Sequence, residues 1–102
     1  MNNYTQNELE SLEDKSLDKI AAIYLGYGED YLDRNPDNAP SYCNCRGIVM
    51  DVVGDILTDN SSIEIFSNST KVCIYNKEFR VTHQNLLRAI VISYILMKQE
   101  VG

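Results

Sequence analysis

The sequence predicts a small single α+β domain spanning residues 1–102, with two N-terminal helices, a three-stranded antiparallel meander and a buried C-terminal helix. Three observations lead there. Apolar residues recur at helical spacing in two segments of the first half, short alternating or apolar runs follow from residue 63, and the stretch from Leu86 to Met97 is apolar around most of a helical circumference. A chain of 102 residues supports one hydrophobic core. Its 44% hydrophobic and 24% charged residues, with only five Gly and two Pro, exclude a disordered tail and collagen-like or low-complexity material.

Thr5 and Glu8 have the spacing of a capping box, which predicts a short opening turn. Leu17, Ile20, Ala21, Tyr24 and Leu25 then line one helical face behind Ser16, and Gly26 can end that helix in the left-handed conformation. Residues 27–41 are rich in Gly, Asp, Asn and Pro without sustained period, which predicts a long polar loop. Asn44 is the candidate cap of the second helix, whose apolar positions are Val49, Val52, Val53, Ile56 and Leu57. Gly47, Gly54 and the β-branched residues weaken that helix.

Asp59 and Asn60 mark a turn, after which Ile63 and Ile65 alternate with Ser62 and Glu64 to give a first strand. Val72 to Tyr75 form the second. A turn at Asn76 and Lys77 leads into a third at Phe79 and Val81, with Arg80 facing outward. Thr82 is the candidate cap of the last helix. That helix must be buried on several sides, against both the sheet and the earlier helices.

Charge is unevenly distributed. The net charge of −6 sits entirely in residues 1–51, which hold ten acids against Lys15, Lys19, Arg34 and Arg46; the remainder balances five acids with five bases. This disfavours a nucleic-acid partner. The first fifteen residues carry Glu8, Glu10, Glu13 and Asp14 and no apolar stretch behind a basic start, so a cytosolic location is expected. The run from Ala89 to Met97, interrupted by Ser93, is too short to span a membrane. Three cysteines, Cys43, Cys45 and Cys73, are then expected as reduced structural thiols.

Catalytic and metal motifs are missing. His83, the only histidine, has no nucleophile or carboxylate at motif spacing, and reads as a surface residue at a helix start. Cys43 and Cys45 lack zinc-ligand spacing and a second pair. Asp33, Asn35 and Asp37 match the first ligands of a calcium loop, but Asn38 replaces its turn glycine and Asn44 its bidentate glutamate. The expectation is therefore a non-enzyme without metal or cofactor. Seven tyrosines and no tryptophan bias the aromatic content, and Tyr24, Tyr27, Tyr31 and Tyr42 lie in or beside the polar segment; Tyr24 falls on the apolar stripe and reads as core, and the others suit either recognition or the covering of a core edge.

Tyr42-Cys43-Asn44, the helical segment ending at Ile56, and Asn85-Leu86-Leu87-Arg88-Ala89 leading into Tyr94-Ile95-Leu96-Met97 resemble the NinX-like small proteins of tailed phages. Leu17-Asp18-Lys19-Ile20-Ala21 is similar to that family's N-terminal helix. The chain departs from the pattern at Arg46, where the family has Trp, and at Leu86, where it has Pro. The resemblance implies a phage or prophage origin and an accessory role in the cytosol of a bacterial host.

Two functions follow as expectations. The first is a non-catalytic accessory protein that binds a host protein, for instance one of host defence, through Tyr27, Glu29, Asp30, Tyr31 and Asp33. The alternative is a protein that binds or sequesters a nucleotide-like anion, as a homo-oligomer in one version, using Tyr42, Asn44, Arg46, Asn85 and Arg88. A purely architectural reading of the same residues has Asn44 and Asn85 capping helices and Arg88 paired with an acid of the first half.

Overall fold

The computed structural model describes residues 3–58, 63–68, 71–76 and 79–101, with the backbone alone at 66–68, 71–76, 79, 80, 82, 100 and 101. The fold class expected from sequence requires correction, because the chain is mostly helical. Among the described residues there are five α-helices: α1 (Gln6–Ser11), α2 (Asp14–Tyr24), α3 (Glu29–Arg34), α4 (Arg46–Thr58) and α5 (Leu86–Val101). Four of them, where two were expected, precede the short strands β1 (Ile63–Asn68), β2 (Lys71–Asn76) and β3 (Phe79–His83). The strands pair antiparallel in the order β1-β2-β3, with Ile65 opposite Ile74 and Ile74 opposite Val81.

The long loop is the second correction. Residues 29–34 form α3, and Pro36–Asn38 add one 3-10 turn. A six-residue helix shows little period, and only Leu32 of α3 is buried, so the apolar pattern gives no sign of it. What the sequence does supply is polarity: Glu29 and Asp30 lie in the first turn and Arg34 in the last, both favourable to the helix dipole.

Local chemistry sets the other boundaries. Thr5 and Glu8 form the reciprocal capping box of α1, at 3.0 and 3.2 Å. Helix α2 ends at Gly26, whose φ of 112° is open to glycine; the Tyr27 amide donates to the Ala22 carbonyl and the Gly26 amide to that of Ile23, closing a Schellman turn. Thr82 is not the cap of α5, for it pairs with Cys73 inside the sheet. Asn85 caps that helix instead, its Oδ1 accepting from the amides of Leu87 and Arg88 at 2.9 and 3.2 Å. The expected turns at Asp59–Asn60 and Lys77, and the side chains of Cys73 and Arg80, lie outside the described residues.

Helix α5 is the core. Every residue from Ala89 to Met97 is buried, and the helix packs against α1, α2, α4, β2 and β3. Ser93 fits this apolar setting because its hydroxyl donates to the Ile90 carbonyl at 2.9 Å. Helix α4 contributes Val49, Val52 and Ile56, whereas Leu57, expected on the buried face, is 54% exposed. Tyr94 meets Tyr24 edge-to-face with centroids 6.4 Å apart, and its hydroxyl donates to Asp55 of α4 at 2.6 Å. Burial would raise the Asp55 carboxyl, but the Tyr94 hydroxyl and the Lys98 ammonium, 3.1 Å away, hold it below its ordinary value. No described helix is long and apolar enough to cross a membrane.

Two substitutions test this arrangement by urea unfolding. Ile95→Ala removes a fully buried side chain from α5 and should cost about 2–5 kcal/mol. Asn85→Ala removes only the cap and should cost about 0.5–2 kcal/mol. Equal costs would contradict the central position of α5.

Candidate functional site

The turn that carries Tyr42, Asn44 and Arg46 is held by α2. Asp14 and Asp18 stand one helical turn apart on α2, and both reach this segment. Asp18 Oδ1 accepts from the Cys43 amide at 2.9 Å, and Asp14 Oδ2 accepts from Asn44 Nδ2 at 3.1 Å. The turn closes on itself through the Ser41 carbonyl, which accepts from the amides of Asn44 and Cys45. The Cys45 carbonyl then takes the first bond of α4, from Val49 at 3.0 Å. Asn44, expected to cap this helix, is instead tied to Asp14 through its side-chain nitrogen.

Arg88 completes the grip from α5. Its guanidinium pairs with Asp14 and donates to the carbonyls of Glu10 and Leu12 at 3.1 and 2.9 Å. Those bonds occupy it inside the chain, so Arg88 organises the junction of α1, α2 and α5 and is turned away from the surface opening nearby. Tyr42 is likewise internal: it is 1% exposed, and burial above all, then Tyr27, Asp51 and Asp18, pushes its hydroxyl up to about 12. Its ring is core, not a ligand platform. Burial also drives the Cys43 thiol well above its ordinary range, with Asp18 adding to the effect, which keeps it protonated and unreactive.

Asn44, Arg46 and Asn85 do meet. Together with Cys43, Gln84, Leu86 and Leu87 they line a cleft of about 490 Å³ between the start of α4 and the start of α5. Gln84 was not among the residues nominated from sequence. The same holds for Asp14 and Asp18, although their spacing of four along α2 was a visible sign that they share a face. His83, at the end of β3, accepts from the Asn85 amide through Nδ1 at 2.9 Å and so shapes the entry into α5.

The residues nominated for a protein partner form a separate surface on and beside α3. Tyr27 and Tyr31 are 41% and 48% exposed, and Glu29, Asp30 and Asp33 are also exposed. Asp33 pairs with Lys19 of α2, and this hydrogen bond is the main cause of the raised Lys19 ammonium. Tyr31 Oη accepts from Asn38 Nδ2 at 2.8 Å. Among the described residues Glu29 and Asp30 have no ion-pair partner, and no three His, Cys, Asp or Glu side chains gather as a metal site.

Comparison with known protein families, curated proteins and solved structures finds no match to this chain.

Asp18 gives a pH test. It is 5% exposed, and desolvation raises its carboxyl above 3.8 despite the bonds from Cys43. The folded state therefore binds the Asp18 proton more tightly than the unfolded state. Its contribution to stability is full below the unfolded value and declines as pH rises through the raised one. Asp18→Asn keeps a carbonyl acceptor for the Cys43 amide and removes the buried charge. Urea midpoints of this variant should equal or exceed those of the parent at pH 7 and fall less between pH 4 and 7. A large loss at pH 7 would show that the charge itself is required.

Proposed function

We propose that this protein is a non-catalytic phage or prophage accessory protein that works in the cytosol of a bacterial host by binding a host protein, a component of host defence being the leading class. The observation that carries this reading is the construction of α3. Leu32 is wholly buried and fastens the helix to the body, while Tyr27 and Tyr31 offer their rings to solvent beside Glu29 and Asp30, exposed carboxylates without an ion-pair partner among the described residues. Rigid tyrosines contribute much contact area for little entropy, and are enriched among residues that dominate binding energies. An acidic surround speeds encounter with a basic partner and discriminates against acidic ones.

The test is a quantitative pull-down from host lysate, followed by titration of the partner recovered. Glu29→Lys with Asp30→Lys reverses the free charges and leaves the Lys19–Asp33 tie intact. Tyr31→Ala removes a ring without touching the core. Tyr31→Ala should keep the parent's melting temperature and weaken capture by about tenfold or more; the double lysine variant should also weaken capture, and should lose about 0.3–1 kcal/mol per reversed charge at the start of α3 while remaining folded. Capture undiminished in both variants would refute the assignment of this face.

A further inference from the structure

We propose that the cleft between α4 and α5 binds a nucleotide-like phosphate monoester. The inference is independent of the α3 face and begins from charge. The chain carries −6 overall, yet among the described residues the cleft lining contains no carboxylate and one guanidinium, Arg46. Among the described residues Arg46 has neither an ion-pair nor a hydrogen-bond partner. The neighbouring carboxylate, Asp14, is already occupied by Arg88 and Asn44. An anion entering the cleft therefore meets an uncompensated cation able to make two parallel bonds to phosphate oxygens.

The amides supply the second half of the ligand's description. Asn85 is oriented by its cap: Oδ1 is consumed by two backbone amides, which leaves Nδ2 as a donor. Asn44 is oriented oppositely, since Nδ2 is consumed by Asp14 and Oδ1 remains as an acceptor. A fixed donor and a fixed acceptor on one cleft match the alternating edge of a nucleobase, and Gln84 adds a further amide. Leu86 and Leu87, half-buried on the same lining, give a flat ring an apolar surface. The volume of about 490 Å³ lies within the range of small-molecule sites. Because both asparagines are held by bonds that exist without ligand, they add little ordering cost to binding, which falls on Arg46 instead.

Calorimetric titration and thermal melting with AMP, GMP, CMP and UMP, the matching nucleosides, and inorganic phosphate test this proposal on the full chain. At least one mononucleotide should raise the melting temperature in proportion to the logarithm of its concentration, above the effect of its nucleoside or of phosphate. Arg46→Ala should weaken that binding about tenfold or more with unchanged melting of the free protein, since Arg46 is exposed. Asn85→Asp keeps a capping oxygen for α5 while replacing the donor with a repelling charge, so it should fold and lose the ligand. No response to any mononucleotide at millimolar concentration would overturn the proposal. So would phosphate acting as strongly as every nucleotide, or an Arg46→Ala protein that binds like the parent.

Discussion

Nine consecutive buried residues in α5 are the constraint to which the remaining elements answer. A helix of this kind has no face to give to water, so the chain must cover it on all sides. The short elements do this in pieces. Helix α2 supplies Leu17, Ile20, Ala21 and Ala22, α4 supplies Val49, Val52 and Ile56, and β3 supplies Val81. Small residues at Ala21, Ala22 and Ala89 let the helices approach closely, and large ones fill between them. Polar ties among the described elements include Asp55 of α4 with Tyr94 and Lys98, and Arg88 at the start of α5 with Asp14.

That arrangement determines where binding residues can stand. The start of α5 emerges from the core at Asn85, beside the turn that α2 holds through Asp14 and Asp18. Residues 44 and 85 are brought to one cleft because Asp14 bonds at once to the turn before α4 and to Arg88 at the start of α5. The buried Asp18 carboxylate carries a desolvation cost, and what it holds is Cys43, through the backbone amide and the side chain. Such a cost is expected where a backbone position matters more than stability alone.

The helix periods of α2 and α5, the capping box at Thr5 and Glu8 and the Gly26 stop were readable in the sequence because each depends on near neighbours. Helix α3 was not, since its existence rests on Leu32 finding a place in the core and on the side chain of Asn35 donating to the Tyr31 carbonyl. The caps were confused for a similar reason. Thr82, Asn85 and Asn44 are all suitable residue types, and only the paired register of β3 and the bond from Asn44 to Asp14 separate the one that caps. Of the candidate site, the composition of the cleft was legible in part as Asn44, Arg46 and Asn85. The turn that carries Tyr42 is held by the bond from the Cys43 amide to Asp18, 25 residues away, and Arg88 turns inward to Asp14, 74 residues away; no local spacing reveals either.

Near the two extremities of the described chain, the Tyr4 amide donates to Gln99 Oε1 at 2.7 Å, and Gln99 Nε2 returns a bond to the Tyr4 carbonyl at 2.9 Å. This reciprocal clasp joins the segment entering α1 to the final turns of α5. Fraying of the last turns of α5 releases both backbone groups of Tyr4, so the opening of the segment before α1 follows the opening of those turns. The central helix is thereby protected at the terminus that its apolar residues do not reach.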